Sequence, residues 1–477
     1  MASVLKKMQE MDLFKDEKVI KLINYIKESI KNTVYEGHVF VVGGAVRDSL
    51  MGKPCKDIDL VIDLPTGGLG FANFLTFKNN CYIKDKNPVV FETYGTAKLQ
   101  LLNSDEFNDI EIECVNTRKE QYHSESRNPT TSFGTIEQDA MRRDLTINAI
   151  YYDISNDELR DYTGKGIDDI KNKVIRTPTD PDIIFNDDPL RILRVIRFAT
   201  RFEWGIEKKT WLGMVKNAKR ILIVSQERIT EEISKILLTD KPSLGIKRML
   251  CCNNLLEYTI PCADFMKHIY QNMNPKITVL QHSLDVLDNT EPKLVNRLAG
   301  LLHDIGKLTT YNKAFLFHAA EGSVLAEKML KAMKYPNSVI SKVCVCIALH
   351  ETFSAYRDKE TPKKSVLREF KAITGDNYET VMDVIHSNNC NQLYLAKTNQ
   401  VPLIKKKIKE MEKAEKRNLS VIKLPINGKD IINKFNIKSG PLIGRLLKKV
   451  KDAYLEDPTI TKDDCFDIVN DYIKKTV

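Results

Sequence analysis

Asp57 and Asp59, one residue apart in KDIDLVID, are the first residues whose spacing could do chemistry. On a strand, positions two apart share a face, so the carboxylates stand a few ångströms from one another. Like charges that close are unfavourable without a cation between them. Hard oxygen ligands with an open water side suit Mg²⁺ or Mn²⁺ and a substrate phosphate. Upstream, Gly43 and Gly44 separate the β-branched run HVFVV from an amphipathic segment, the pattern of strand, tight turn and helix. Glycine lets the backbone approach a phosphate, a helix N-terminus offers free N–H groups, and Arg47 one turn later can reach the same anion. Taken singly, a glycine pair is a turn and a bare DxD is a solvated strand end. Together they are the equipment of metal-dependent nucleotidyl transfer. The segment DIEIECV adds Glu111 and Glu113 on one face, alternating with Ile112 and Cys114, and one of these glutamates could complete a three-carboxylate site.

Two further clusters carry arginines. EQDAMRRDLTINAI holds Arg142, Arg143, Asp144 and Asn148, either a charged surface entry or a polar reader of a ribose. NDDPLRILRVIRFATRF places Asp188, Arg191, Arg194 and Arg197 at three-residue intervals on a predicted helix, with Pro189 in its first turn. Some of these arginines belong to an ordinary salt-bridged amphipathic helix whose buried side is Ile192, Leu193, Val195, Ile196 and Phe198. Asp188 and Arg191 have a sharper use. Adenine and cytosine each set an exocyclic amine beside an unprotonated ring nitrogen, so an aspartate can accept from the first while an arginine donates to the second. Guanine and uracil present the reverse pattern.

Four of the eight histidines fall on successive predicted helices: His282, His303 beside Asp304 in HDIGK, His318, and His350. A single helical histidine is more often a satisfied structural residue than a ligand; four with an adjacent aspartate form a candidate metal set.

The string VVGGAVRDSLMGKPCKDIDLVI resembles the head-domain signature of class II tRNA nucleotidyltransferases and bacterial poly(A) polymerases, members of the polymerase-β superfamily. The resemblance implies that Gly43, Gly44 and Arg47 contact the nucleotide, that Asp57 and Asp59 hold the catalytic metals, and that Glu113 is the additional strand carboxylate. RRDLTINA is similar to the family's RRDFTINA block, which implies ribose and triphosphate contacts from Arg142, Arg143, Asp144 and Asn148. SRNPTTSFGTIEQD resembles the family's flexible loop, with Arg127 and Asp139 at its characteristic positions. DDPLR resembles the EDxxR nucleotide-recognition motif, with Asp187 in place of glutamate, and SQERITEEISKIL resembles the neck that follows. HDIGK resembles the HD phosphohydrolase motif, which implies a second divalent-metal site at His282, His303, Asp304 and His350. There the pattern is degraded: Asn388 stands at the usual aspartate, and the Gly-His-Glu element aligns either His318 or Ala320 with the expected histidine. A lost carboxylate weakens divalent binding, which favours a structural remnant over a working phosphohydrolase.

The expected activity is template-independent addition or repair of the CCA end of tRNA from CTP and ATP, with release of pyrophosphate. Alternatives are a poly(A) polymerase, an A-adding or CC-adding enzyme, an HD phosphohydrolase, and an RNA-binding protein with an inactive head, against which the intact Asp57/Asp59 pair argues.

The elements that must position these residues divide the 477-residue chain. We expect an α+β fold: N-terminal amphipathic helices over 1–35, a polymerase-β-like head of mixed sheet and helices over 36–175, a helical neck over 176–245, an HD-like helical body over 246–400 and a basic helical tail over 401–477. Strand signals almost vanish after Asp188. The tail carries 18 basic and 11 acidic residues of a chain whose net charge is +9, which suits RNA phosphates. Within it, a Gly-Pro turn precedes Gly444, expected to open a Lys/Arg-rich helix. An apolar fraction of 42% and a charged fraction of 29% exclude a disordered or fibrous chain. No apolar run is long enough for a membrane span, no export signal is visible near the start, and ten cysteines without a CxxC pair read as free thiols. The expected compartment is cytoplasmic.

Overall fold

The glycine pair ends a buried strand. β1 (Val39–Val42) runs into Gly43, whose φ of 74° and ψ of −126° strain any residue with a side chain, and a helix begins at the next residue. In this computed structural model the structure describes residues 13–55, 57–65, 67–77, 88–91, 95–99, 110–123, 126–271, 274–311, 315–354, 356, 362–391, 400–418, 424–437, 440–457 and 459–476. The chain forms two units, Met1–Asp264 with Ala332–Tyr335 and Phe265–Lys331 with Pro336–Val477.

The first unit is built on a mixed seven-stranded sheet in the order β3-β4-β5-β2-β1-β8-β9. Besides β1 its strands are β2 (Asp57–Ile62), β3 (Val89–Phe91), β4 (Thr96–Leu99), β5 (Glu111–Asn116), β8 (Ile150–Asp153) and β9 (Glu158–Asp161). β2 and β5 are parallel, and the other neighbours are antiparallel. Alternation along the strands separates two faces. Val39, Val41, Ile58, Leu60, Ile62, Ala97, Leu99, Ile112 and Cys114 point into a core shared with α1 (Glu17–Ile30), α2 (Gly44–Leu50) and α3 (Gly67–Phe77). The opposite face carries Val42, Asp59, Lys98 and Glu113. The N-terminal helix is therefore part of the head: Val19, Leu22, Ile26 and Ile30 of α1 lie in the same core as the sheet. β6 (Arg118–His123) and β7 (Ser126–Phe133) pair separately. The expected flexible loop thus begins as a strand, and the side chain of Arg127 lies outside the described residues.

A capping box between Thr135 and Gln138 starts α4 (Ile136–Met141), which leads into the Arg142–Arg143 pair. In the neck, α5 (Pro181–Asp187) opens with proline and an Asp180 cap, α6 (Leu190–Phe202) follows after the turn at Asp188–Pro189, and α7 (Gln226–Leu237) packs on α6. The predicted apolar side of α6, from Ile192 to Phe198, is buried. Past Asp188 the sheet elements among the described residues are the two-residue β11 (Gly205–Ile206), paired with β10 (Val174–Ile175), and the pair Tyr270–Gln271 with Asn274–Thr278. These are mostly too short to show alternation in sequence.

In the second unit, α8 (Val279–Asn289) carries His282, α10 (His318–Ala332) begins at His318 and α12 (Tyr378–Asn391) carries Asn388, while His303 and His350 cap the C-terminal ends of α9 (Leu294–Leu302) and α11 (Asn337–Leu349). The tail helices α13 (Gly428–Phe435), α14 (Pro441–Glu456) and α15 (Lys462–Thr476) close over their own core, including Ile431, Leu446, Val450 and Val469. Gly444 does not open a helix. α14 begins at Pro441, whose ring presets the first-turn conformation, and Gly444 lies within its first turns.

The strand carrying Glu113 is held by a close approach of α3. A Cβ on Gly68 would lie 2.4 Å from the Cys114 carbonyl oxygen, backbone that cannot swing away, whereas a Cβ on Gly205 meets nothing within 4 Å. Gly68→Ala is expected to lower stability by about 1–3 kcal/mol, and Gly205→Ala to stay within about 0.5 kcal/mol. Urea midpoints of the two variants against the parent chain test this.

Candidate active site

The parallel register of β2 and β5 sets Asp59 beside Glu113 and Asp57 beside Glu111. Asp57, Asp59, Glu111 and Glu113 therefore share one sheet face, on strands about 4.8 Å apart. Asp57 and Glu111 are exposed, and Asp59 and Glu113 are half-buried at the floor of a cleft of about 750 Å³. Burial first, then the charges of Glu113 and Asp57, push the Asp59 carboxyl above its ordinary range, against the pull of Arg143. A group stressed in this way gains from a bound cation. Room for one exists because residue 43 is glycine: a Cβ there would sit 3.4 Å from Asp59 Oδ2. Two carboxylates with an open side fit a divalent cation that also takes phosphate oxygens.

Seven cationic and four anionic side chains line the cleft. Arg142 and Arg143 are held by the fully buried Asp139. Arg143 Nη2 donates to Asp139 Oδ2 at 3.0 Å, Arg142 Nε donates to Oδ1 at 3.0 Å, and the Tyr151 hydroxyl donates to Oδ2 at 2.7 Å. Burial alone would raise the Asp139 carboxyl, but the guanidinium charges of Arg143 and Arg142 bring it down to about 2. Asp144 is a second hub. It accepts from Asn148 Nδ2 at 2.9 Å and from Arg194 Nε at 2.8 Å and Nη2 at 2.7 Å. Against burial, Arg194 holds its carboxyl at about 2.

Asp188 and Arg191 both line the cleft. Asp188 Oδ1 accepts the Leu190 N–H at 3.1 Å, its Oδ2 is 3.1 Å from Arg228 Nη2, and Arg191 Nη1 reaches the Ile184 carbonyl at 3.4 Å. The remaining predicted arginines divide. Arg194 lines the cleft, whereas Arg197 pairs with Glu232 at 2.7 Å and lies over the Phe198 ring. Arg197 thus belongs to the salt-bridged side of the helix. Arg47 is also placed away from the cleft lining. Its buried guanidinium bonds Asp48 and, at 2.5 Å, Asn148 Oδ1, and lies 5.0 and 5.3 Å from the ring centres of Phe198 and Phe202. Arg118, Lys98, Arg228 and Phe91 also line the cleft and were not singled out from the sequence; Arg228 lies in the neck segment SQERITEEISKIL, where no spacing marked it.

The second unit brings the histidines together. Ligand atoms of His282, His303 and Asp304, and of Asp304, His318 and His350, lie within 4.8 Å of one another in each set, all buried. His318 joins the predicted set; of its two alignments, the one that used it matches the geometry. The Nδ1 atoms of His303, His318 and His350 face the carbonyls of Gly300, Phe315 and Ile347 at 2.9, 2.9 and 2.7 Å. Donation there leaves each Nε2 as an acceptor turned toward Asp304, as in metal ligands. Buried Nε2 of His303 makes no hydrogen bond, and the Nε2 atoms of His318 and His350 face each other at 3.3 Å. Asn388 Oδ1 lies 3.0 Å from His282 Nε2, and Lys307 Nζ lies 2.6 Å from Asp304 Oδ2. Burial lowers the His282 imidazole to about 4. Although burial opposes ionisation of Asp304, the Lys307 ammonium beside it keeps its carboxyl well below the usual range.

The poly(A) polymerase head-domain family matches residues 39–176, an RNA and SrmB-binding site of polymerase A matches 205–266, and tRNA nucleotidyltransferase domain 2 matches 309–466. The chain is 27% identical to the mitochondrial CCA tRNA nucleotidyltransferase of Saccharomyces cerevisiae, over 88% of this chain and 85% of that one. It is 30% identical to the multifunctional CCA protein of Chromobacterium violaceum, over 70% of this chain and 78% of the relative. Among solved structures, the Thermotoga maritima CCA-adding enzyme complexed with tRNA shares the fold, with a TM-score of 0.61 at 20% identity over 98% of each chain.

Low carboxyl values at Asp144 make the head's stability pH-dependent with a definite sign. A folded value near 2 against an ordinary 3.8 contributes about 2 kcal/mol while the unfolded group is ionised, and that contribution fades as pH falls from about 4 toward 2. Asp144→Asn is expected to be less stable than the parent at pH 6, with the gap closing across that window. Denaturant midpoints measured from pH 6 to 2 decide it, and a gap constant with pH would oppose the assignment.

Proposed function

The chain belongs to the class II CCA-adding tRNA nucleotidyltransferases, and from that premise we propose that its cleft joins CMP and AMP to the 3′ end of tRNA, releasing pyrophosphate from CTP and ATP. The observation that carries this reading is the neighbouring pair Asp59 and Glu113, on β2 and β5, facing an arginine-rich wall within one cleft.

Asp57 and Asp59, with Glu113 beside them, would hold Mg²⁺ or a similar divalent ion, which when bound neutralises triphosphate charge and favours the ionised 3′-hydroxyl. The protein's own groups do the positioning. Gly43 admits the phosphates to the start of α2. Arg142 and Arg143, fixed by Asp139, present guanidinium faces to the triphosphate without having to be ordered during the reaction. Asp144 and Asn148, tied to Arg194, border the ribose. Asp188 accepts from the exocyclic amine of adenine or cytosine and Arg191 donates to the adjoining ring nitrogen. Asp188 Oδ2 is already engaged by Arg228, so base recognition redistributes that carboxylate's hydrogen bonds. The tail's basic helices suit tRNA phosphates.

The histidine cluster of the second unit supplies nitrogen and oxygen donors for one divalent transition metal, with the orphaned His303 Nε2 as the observation in favour. Among the described residues no helix is long and apolar enough to cross a membrane. The nine described cysteines are free thiols, which fits a reducing compartment such as the cytoplasm, while a relative is named as mitochondrial.

tRNAs ending one, two and three nucleotides short of the mature terminus, given labelled CTP and ATP, are each expected to grow to CCA and stop. Homopolymer growth on unrelated RNA would favour a poly(A) polymerase. Asp59→Asn should cut turnover by more than about a hundredfold, and Arg191→Ala should admit UTP or GTP. His303→Ala should leave addition intact while lowering the bound transition metal measured by elemental analysis; a metal content equal to the parent's would remove the histidine site.

A further inference from the structure

We propose that Phe91, with Thr96 and Val115, is a stacking platform for the terminal nucleobase of the RNA that accepts the new nucleotide. This rests on the nucleotidyl-transfer reading of the same cleft.

The sheet orders the groups around the carboxylates. On one side of Asp59 and Glu113 come β1 and β8, with the glycine turn and, against Tyr151, the guanidinium of Arg143. That side has the phosphate-binding equipment. On the other side come β4 and then β3, the edge strand of the described sheet. Transfer from a nucleoside triphosphate requires the attacking oxygen and the leaving pyrophosphate to lie roughly in line through phosphorus. With the triphosphate on the β1–β8 side, the attacking 3′-hydroxyl comes from the β4–β3 side.

Two rows of side chains cross the face there. One runs Lys98, Glu113, Asp59, by the pairings of β4 with β5 and of β5 with β2. The neighbouring row holds Phe91, directly paired with Thr96, and Val115, which faces Thr96 one step on from the Ala97–Cys114 pair. All three line the cleft. Phe91 is 46% exposed, and among the described residues it has no ring neighbour. Its strand stands two positions, about 10 Å, from that of Glu113, a separation one ribonucleoside spans with its base laid on the ring. A large aromatic left open beside a polar, charged cleft has an apolar face without cover, and every nucleobase has a π-face to cover it. Because stacking tolerates any base, such a platform serves an acceptor whose last nucleotide changes from one addition to the next.

The test uses the full chain, tRNA one nucleotide short of its end, and two readouts. In the first, 2-aminopurine at the RNA 3′ end reports stacking without turnover. Its fluorescence should be quenched on binding to the parent and to Phe91→Tyr and remain bright with Phe91→Ala. In the second, Phe91→Ala should raise the RNA KM about tenfold with the ATP KM unchanged. An abasic 3′-terminal nucleotide should raise the parent's RNA KM similarly and add nothing further to Phe91→Ala. Equal quenching in parent and Phe91→Ala, or independent multiplication of the abasic and Phe91→Ala effects, overturns the platform. Quenching that follows the prediction while no RNA is extended would overturn the catalytic reading and leave the platform standing.

Discussion

The ionised Asp144 is the constraint on which the head and neck depend together. A buried carboxylate is costly unless its charge is answered by hydrogen bonds and an opposite charge. Arg194 answers it with two guanidinium nitrogens, and Asn148 with an amide N–H. Asn148 in turn receives Arg47 at its side-chain oxygen, and Glu232 of α7 pairs with Arg197 one turn along α6. The chain of contacts therefore runs from the helix after the glycine turn, through the RRD block, into the two neck helices. Removing one member leaves another charge buried and unpaired, a larger penalty than the loss of a surface ion pair.

That network explains how the pair proposed to read the base, Asp188 and Arg191, can be rigid while standing at a turn. Asp188 has extended backbone angles and lies between α5 and α6, where no helix holds it. Its position is set by Arg228 on one oxygen and the Leu190 N–H on the other. Arg228 and Glu232 are four residues apart on α7 and so share a face of it. One helix face thereby fixes both Asp188, the aspartate proposed to meet the base, and Arg197 of α6 behind it. Selection of a nucleotide by protein side chains, with no template strand, needs this stiffness: a donor and an acceptor that could drift would fit more than one base edge.

Much of the head was legible in the sequence because it rests on short-range pattern. The alternation of Ile112 and Cys114 with Glu111 and Glu113 marked a one-sided strand, and the Gly43–Gly44 break marked the turn. The parallel pairing that sets Glu113 beside Asp59 joins residues far apart in the chain, which no local pattern specifies. Arg47 shows the same limit from the other side. Its spacing from the glycines placed it near a phosphate, yet the rings of Phe198 and Phe202, about 150 positions later, provide a cation–π cradle that holds it in the packing between head and neck. Arg228 was invisible because its partner Asp188 lies 40 positions away. In the second unit, degraded motif spelling left His318 ambiguous, while the fold resolves it through the carbonyl of Phe315 that orients its ring.

The two clusters of ionisable groups differ in what their burial allows. In the head, the carboxylates stand at the floor of a wide cleft, so charge can enter and leave with a polyphosphate. In the second unit, His282, His303, Asp304, His318, His350 and Asn388 are all at most 6% exposed, and Lys307 already neutralises one oxygen of the aspartate. Asn388 adds no negative charge to the site, and its amide oxygen is committed to His282. A centre with less charge and so little exposed surface can bind one cation tightly only if the cation is soft enough to prefer imidazole nitrogen. It has little room to admit a phosphate ester as well. Low charge and close burial thus leave a donor set suited to holding helices together around an ion.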